Sequence, residues 1–191
     1  VSPGDTHDAT AAGKISSTRE YTGRIINLDV DTVRFPDGST GTLEMVRHPG
    51  ASAVLPFLTD PTGADPEVLL IRQYRYAANG FVYEIPAGRL DPGEAPEACA
   101  HRELREETGC TASRMQHLYT FFTTPGFTDE KIHAFMATDL ARGDARLEAD
   151  EFVEVKPVML SRALEMVRDG EIVDAKTALT LLYAAGFRLG Q

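Results

Sequence analysis

Tryptophan is absent from these 191 residues, and cysteine occurs only at positions 99 and 110. Without Trp, any surface that stacks a flat ligand must be built from Tyr or Phe. Cys99 and Cys110 fall in or beside one expected helix, 11 positions apart. A disulfide between them would have to bridge about three helical turns, which its geometry forbids. Two free thiols fit a reducing cytoplasm, and that is the expected compartment. Positive charge is also scarce: 19 Lys and Arg stand against 29 Asp and Glu, a net charge of −10. This argues against non-specific nucleic-acid binding and against an anionic membrane surface. An anionic ligand therefore needs a local pocket of positive charge. No apolar run approaches the ~20 residues that cross a bilayer. The stretch VSPGDTHDATAAG at the start lacks the basic region and apolar core of a signal peptide.

What is present is ordinary for a globular chain: 42% apolar and 25% charged residues. The length suits one domain with a small accessory piece. Residues 1–16 are small, polar and aperiodic, and are expected to be a disordered tail. Residues 17–48 are expected to form an N-terminal β segment. Ile25, Ile26, Leu28, Val30, Val33 and Phe35 suggest strands, Pro36-Asp37-Gly38-Ser39 a turn, and Thr42 to His48 the antiparallel return. Such a hairpin is too small to stand alone. Residues 49–191 read as the main domain. Strands are expected at Ser52–Leu58, Glu67–Tyr76, Phe81–Ile85, Gln116–Thr123, Lys131–Thr138 and Phe152–Met159. Two closing helices follow, one from a Ser161 cap to about Arg168 and one from about Ala175 to Ala185. The mixture predicts an α/β fold with a mixed sheet between helices.

The most informative stretch is GRLDPGEAPEACAHRELREETGC, residues 88–110. Pro96 suits the first turn of a helix, Gly109 its end, and good helix formers lie between. At ~100° per residue, Glu103, Glu106 and Glu107 share one face. Like charges at this spacing repel. A hard divalent cation such as Mg²⁺ or Mn²⁺ would reverse the sign of that interaction. A solvated acidic face helped by Arg102 and Arg105 is the plainer alternative.

The spacing fits G-x5-E-x7-R-E-U-x-E-E-x-G-U, with U a bulky apolar residue. Gly88, Glu94, Arg102, Glu103, Leu104, Glu106, Glu107 and Gly109 match it, and Cys110 takes the last position as a small hydrophobe. The stretch thus resembles the Nudix box, a loop-helix-loop that binds divalent metal and hydrolyses a nucleoside diphosphate linked to another group. The resemblance implies an α/β/α sandwich with a mixed sheet, to which the N-terminal antiparallel hairpin is added. It implies Mg²⁺ or Mn²⁺ held by Glu103, Glu107, Glu106 and the backbone carbonyl of Ala87. Glu94 and Arg102 are then chiefly structural, with direct metal contact by Glu94 the alternative and Arg102 kept among the candidate catalytic residues.

Outside the box, Gln73-Tyr74-Arg75 and Glu84 resemble their counterparts in ADP-ribose pyrophosphatases, which implies that Arg75 and Glu84 line the substrate pocket. A purely structural Arg75–Glu84 pair stays open. Pro125, 16 residues after Gly109, and the run Gly126 to Glu130 resemble the same subfamily. Pro125, Gly126 and Glu130 are therefore candidate substrate contacts, against a plain hairpin loop. Glu148, Asp150, Glu151 and Glu154 form an acidic cluster that read alone is a solvated loop. By resemblance it is the late catalytic loop, with Glu151 the general base or a metal ligand, Glu148 and Asp150 the fallbacks, and Glu106 the base if none of them serves. No histidine spacing suggests zinc. The implied reaction is ADP-ribose and water to AMP and ribose 5-phosphate, in a homodimer whose N-terminal segment reaches the partner's active site. GDP-mannose or another sugar nucleotide is the alternative substrate. A silent, nucleotide-sensing Nudix domain is the rival of another class, and the presence of every box acid weighs against it. Tyr21, Phe35 or Tyr76 would have to stack the base.

Overall fold

The computed structural model describes residues 12–143 and 152–189. The chain divides into two compact units. One takes the chain up to His48 together with Phe122–Glu130; the other takes Pro49–Phe121 and the chain from Lys131 onward.

The first unit contains three antiparallel strands in the order β1 (Gly13–Thr22), β2 (Asn27–Arg34) and β3 (Thr40–Arg47). The expected hairpin is thus β2–β3, with β1 added to the other edge of β2. β1 starts inside the stretch expected to be tail. All ten of its residues are exposed, so it carries no apolar alternation for a sequence reading to find. Backbone pairing with β2 holds it, along with Ser17 to Asp31 at 2.6 Å and an Arg19–Asp29 ion pair. Arg47 gathers the acids of this unit, pairing with Asp29 at 3.1 Å, with Asp31, and with Asp129 at 3.1 Å.

The second unit explains its sheets through one strand. β4 (Ala51–Pro56) pairs antiparallel with β7 (Ala87–Arg89) and parallel with β9 (Lys131–Arg142), and β8 (Cys110–Phe122) lies beyond β9. A second sheet runs β10 (Val153–Met159), β5 (Glu67–Arg75), β6 (Gly80–Glu84). Side chains on β4 alternate between two cores. Ala53, Leu55 and, just beyond, Phe57 join Val68, Leu70 and Ile85 against Leu160 and Met166 of α2 (Leu160–Arg168) and Leu181 of α3 (Ala175–Tyr183). Val54 joins Leu69 and Phe135 against Ala100 and Leu104 of α1 (Pro96–Thr108). Helices therefore cover both faces, which is the expected α/β/α sandwich with a mixed sheet. Leu55, Leu70 and Leu104 are wholly buried, so truncating any of them to Ala costs about 2–5 kcal/mol.

Three local expectations change. Ser161 lies inside α2 and does not cap it. Its amide and hydroxyl bond Asp65 at 3.0 and 2.7 Å, so the acceptor for the helix start comes from a distant loop. The final helix ends at Tyr183 and continues as a π-helical turn, Ala184–Arg188. The path from β6 into the box also holds β7, a three-residue strand too short to read from alternation. Among the described residues no helix is long and apolar enough to cross a membrane.

Candidate active site

α1 opens at Pro96 and closes at Gly109, whose φ of 73° is the left-handed conformation that favours glycine, with its amide bonded to Arg105 O at 2.9 Å. Its inner face packs Ala100 and Leu104 into the core. One turn round, Glu103 and Glu107 are carried inward as well, 7% and 2% exposed, while Glu106 keeps a third of its side chain in solvent. Buried carboxylates need donors. Glu107 accepts the Ala87 amide at 2.9 Å. Glu103 lies against Gly88, where a Cβ would meet its Oε1 at 1.9 Å. Gly88 opens the box spacing. Its backbone is not left-handed, and what the position requires is space.

Arg102 organises the acids. Its Nε and Nη2 grip Glu94 at 2.9 and 2.8 Å, Nη1 reaches Glu103 and, at 3.1 Å, Glu106, and Nη2 also donates to Arg89 O at 2.9 Å. With its donors turned to the protein, Arg102 holds carboxylates in place. Hydrogen bonds from Arg102 pull the Glu94 carboxyl down to about 2, and those same bonds raise the guanidinium above its ordinary value. Glu94 also accepts the Asp91 amide at 3.0 Å, tying the loop to the helix. Cys99, wholly buried, points its thiol at Gly88 O and Arg89 O, and burial with the nearby Glu103 charge pushes it up to about 11.

Arg75 and Glu84 meet in a two-pronged pair. Nε donates to Oε1 at 2.7 Å and Nη2 to Oε2 at 2.9 Å. Glu84 is 2% exposed. Burial alone would raise its carboxyl, yet Arg75's bonds and the charge of Lys176 outweigh burial and hold it below the usual range. Lys176 and its partner Asp174 belong to this site and were not singled out from the sequence. Asp174 is legible as an N-cap, bonding the Thr177 amide at 3.0 Å. Nothing in the local sequence pairs Lys176 with a strand residue 92 positions earlier.

The remaining candidates are placed as follows. Pro125, Gly126 and Glu130 belong to the first unit. Thr124 O accepts the amides of Phe127 and Thr128 at 3.1 Å, closing a turn around Pro125 and Gly126. Nothing crowds Gly126, so this turn does not require glycine for space. Glu130 bonds Thr123 at 2.9 Å and lies 3.3 Å from His48 Nδ1. Glu148, Asp150 and Glu151 lie outside the described residues. His101 faces a groove of about 1020 Å³ that none of the three box acids lines, as its place off the acid face of α1 implies.

Among the described residues no three His, Cys, Asp or Glu side chains converge as metal ligands. The cause is visible: Arg102 bridges Glu103 and Glu106, and Glu107 is turned to the Ala87 amide. The donor set still fits a hard cation, being all oxygen, on one helix face, beside the glycine cradle that a Cβ would fill.

Comparison with known proteins agrees with this geometry. The NUDIX domain family model matches residues 48–178. ADP-ribose pyrophosphatase of Bacillus subtilis (strain 168) is 42% identical over 171 residues, covering 88% of this chain and 90% of that protein. Methanol dehydrogenase activator of Bacillus methanolicus is 39% identical over the same length, covering 88% and 90%. The crystal structure of an ADP compounds hydrolase shares the fold at a TM-score of 0.77 and 20% identity, over 92% of this chain and 93% of that one. On the box geometry, the sandwich and these relatives together, the chain belongs to the Nudix family.

Proposed function

We propose that this chain is a Nudix pyrophosphohydrolase that splits the diphosphate of ADP-ribose, or of a related ADP-sugar, by adding water to give AMP and ribose 5-phosphate or the corresponding sugar phosphate. The observation that carries the reading is the pair of buried carboxylates, Glu103 and Glu107, fixed on one face of α1 against β7. An ion-free fold has little reason to bury two acids one turn apart. The ADP-ribose reading is supported by the activity for which the Bacillus subtilis relative is named.

Glu103, Glu106, Glu107 and the Ala87 carbonyl would hold Mg²⁺ or Mn²⁺, which when bound supplies charge neutralisation and a more acidic water. Arg102 keeps Glu103 and Glu106 oriented, and Glu94 keeps Arg102 oriented. Arg75 presents a guanidinium whose outer side, 43% exposed, suits a phosphate oxygen. Glu151 is proposed as the general base that takes the proton of the attacking water, in line with the leaving phosphate. We also propose a homodimer built on the N-terminal strands, since β1 is exposed along its whole length and an open three-stranded sheet gains by being covered. The two buried free thiols accord with a reducing compartment.

Product analysis with ADP-ribose, GDP-mannose and diadenosine polyphosphates, each with and without Mg²⁺, tests the reaction. Mg²⁺-dependent release of AMP from ADP-ribose, at higher kcat/KM than on the others, is expected. GDP-mannose as the better substrate would move the assignment to another sugar nucleotide. The name of the Bacillus methanolicus relative favours one second reading, action on a partner enzyme; no turnover of any substrate would select it. Sedimentation tests the dimer, and a fully active monomer would rule it out.

A further inference from the structure

Lys176, on the first turn of α3, brings a second cation to Glu84. Its ammonium donates to Glu84 Oε2 and, at 3.0 Å, to Asp174 Oδ1. Asp174 is fixed in turn, its Oδ2 accepting the Thr177 amide and hydroxyl at 3.0 and 2.5 Å. Thr177 Oγ1 accepts the amide of Ile85, the residue after Glu84, at 2.9 Å. The start of α3 is therefore latched to the end of β6 at two points. Lys176 is 14% exposed and Arg75 43%. The inner cation is enclosed and the outer one faces solvent.

Glu84 spends both oxygens on Arg75, through Nε and Nη2. The Arg75 side chain is nonetheless 43% exposed. Without Lys176, Arg75 alone would face the three negative charges of Glu84, Glu107 and Asp174. An anionic ligand approaching Arg75 would then meet a net negative group. The carboxylates of Glu84, Glu107 and Asp174 all act on Arg75, and Lys176 offsets one of them, leaving the exposed guanidinium outermost.

We propose that Lys176 is a positioning residue: by neutralising buried Glu84 from behind, it leaves the exposed side of the Arg75 guanidinium available, in charge and in hydrogen-bonding capacity, to the diphosphate of the substrate. The proposal rests on the reading above that the substrate carries a diphosphate. Lys176 does not touch the substrate and acts through Glu84 and Arg75.

Calorimetric titration of the full chain with inorganic pyrophosphate in EDTA tests it without metal or turnover. The proteins are wild type, Lys176→Met, Lys176→Arg and the double variant Lys176→Met/Glu84→Gln, with thermal melts in parallel. Lys176→Met should weaken pyrophosphate binding by about tenfold, as loss of one unit charge at a partly screened distance does. Lys176→Arg should bind as wild type. The double variant, which restores the wild-type charge balance around Arg75, should regain most of the affinity. In Mg²⁺ with ADP-ribose, KM of Lys176→Met should rise by a similar factor while kcat changes by less than about threefold. A merely structural lysine predicts the reverse, a double variant worse than the single one and kcat falling with Tm. If Lys176→Met does not fold, Lys176→Gln replaces it, keeping a donor to Glu84 without the charge. Unchanged pyrophosphate affinity in the single variant, or no recovery in the double one, overturns the proposal. Should ADP-ribose not be hydrolysed while the pyrophosphate pattern holds, the substrate reading fails and the role of Lys176 stands.

Discussion

Replacing Gly88 by Ala adds one methyl group and tests the site at its narrowest point. The new Cβ would lie 1.9 Å from Glu103 Oε1, where real Cβ contacts stay beyond 3.0 Å. The carboxylate must therefore retreat by about 1 Å or more. It cannot do so freely, because Glu103 is 7% exposed and Arg102 Nη1 holds the same oxygen. A displacement of ~1 Å at a catalytic group costs roughly 10²-fold in rate. Stability should move little. The φ of Gly88 is not left-handed, so Ala there gains about 0.4–1 kcal/mol from a less flexible unfolded chain, which offsets part of the disturbed ion pair. Gly88→Ala should thus lower kcat/KM for ADP-ribose by ~10²-fold, raise the Mg²⁺ concentration for half-maximal activity, and shift Tm by only a few degrees. Initial rates across a Mg²⁺ titration, with a thermal melt of the same preparation, read all three. Wild-type turnover with unchanged Mg²⁺ dependence would show that Glu103 is not needed where the structure puts it.

Glu103→Gln or Glu107→Gln should reduce kcat by at least ~10²-fold while stability changes little, since relieved repulsion offsets the weakened bonds to Arg102 and Ala87; normal Mg²⁺-dependent rates in both would remove them as ligands. Glu94 titrates at about 2 in the fold against an ordinary 4.5. A depressed carboxyl stabilises above its unfolded value and loses that stabilisation as pH falls towards 2. Wild type should therefore lose more stability than Glu94→Gln between about pH 5 and 2, and urea melts with parallel pH profiles would refute this. Glu151→Gln should lower kcat by ~10²-fold and spare affinity; an active Glu151→Gln beside a dead Glu148→Gln or Asp150→Asn would move the base to that residue. Loss of none of the three would leave Glu106 as the base.

The sequence by itself determined the box, because its information is local. Helix spacing places Glu103, Glu106 and Glu107 on one face, and Pro96 and Gly109 mark its ends whatever surrounds it. The same locality made most strands, the mixed sandwich and the family legible, and it left Arg75 and Glu84 with two open alternatives, substrate contacts or a structural pair. Tertiary structure decided what depends on residues distant in the chain. β1 was missed because an all-exposed polar strand is held by its neighbour's backbone and not by burial. Asp65 replaces Ser161 as the acceptor at the start of α2 because a loop 96 residues earlier is brought there. The box spacing calls for glycine at 88, but the reason, room beside Glu103, exists only once the strand and the helix are packed together. Lys176 reaches Glu84 only because α3 packs its first turn against the end of β6. Periodicity and caps are properties of a few consecutive residues; the charge balance of a buried carboxylate is set by whichever distant side chains the packing delivers to it.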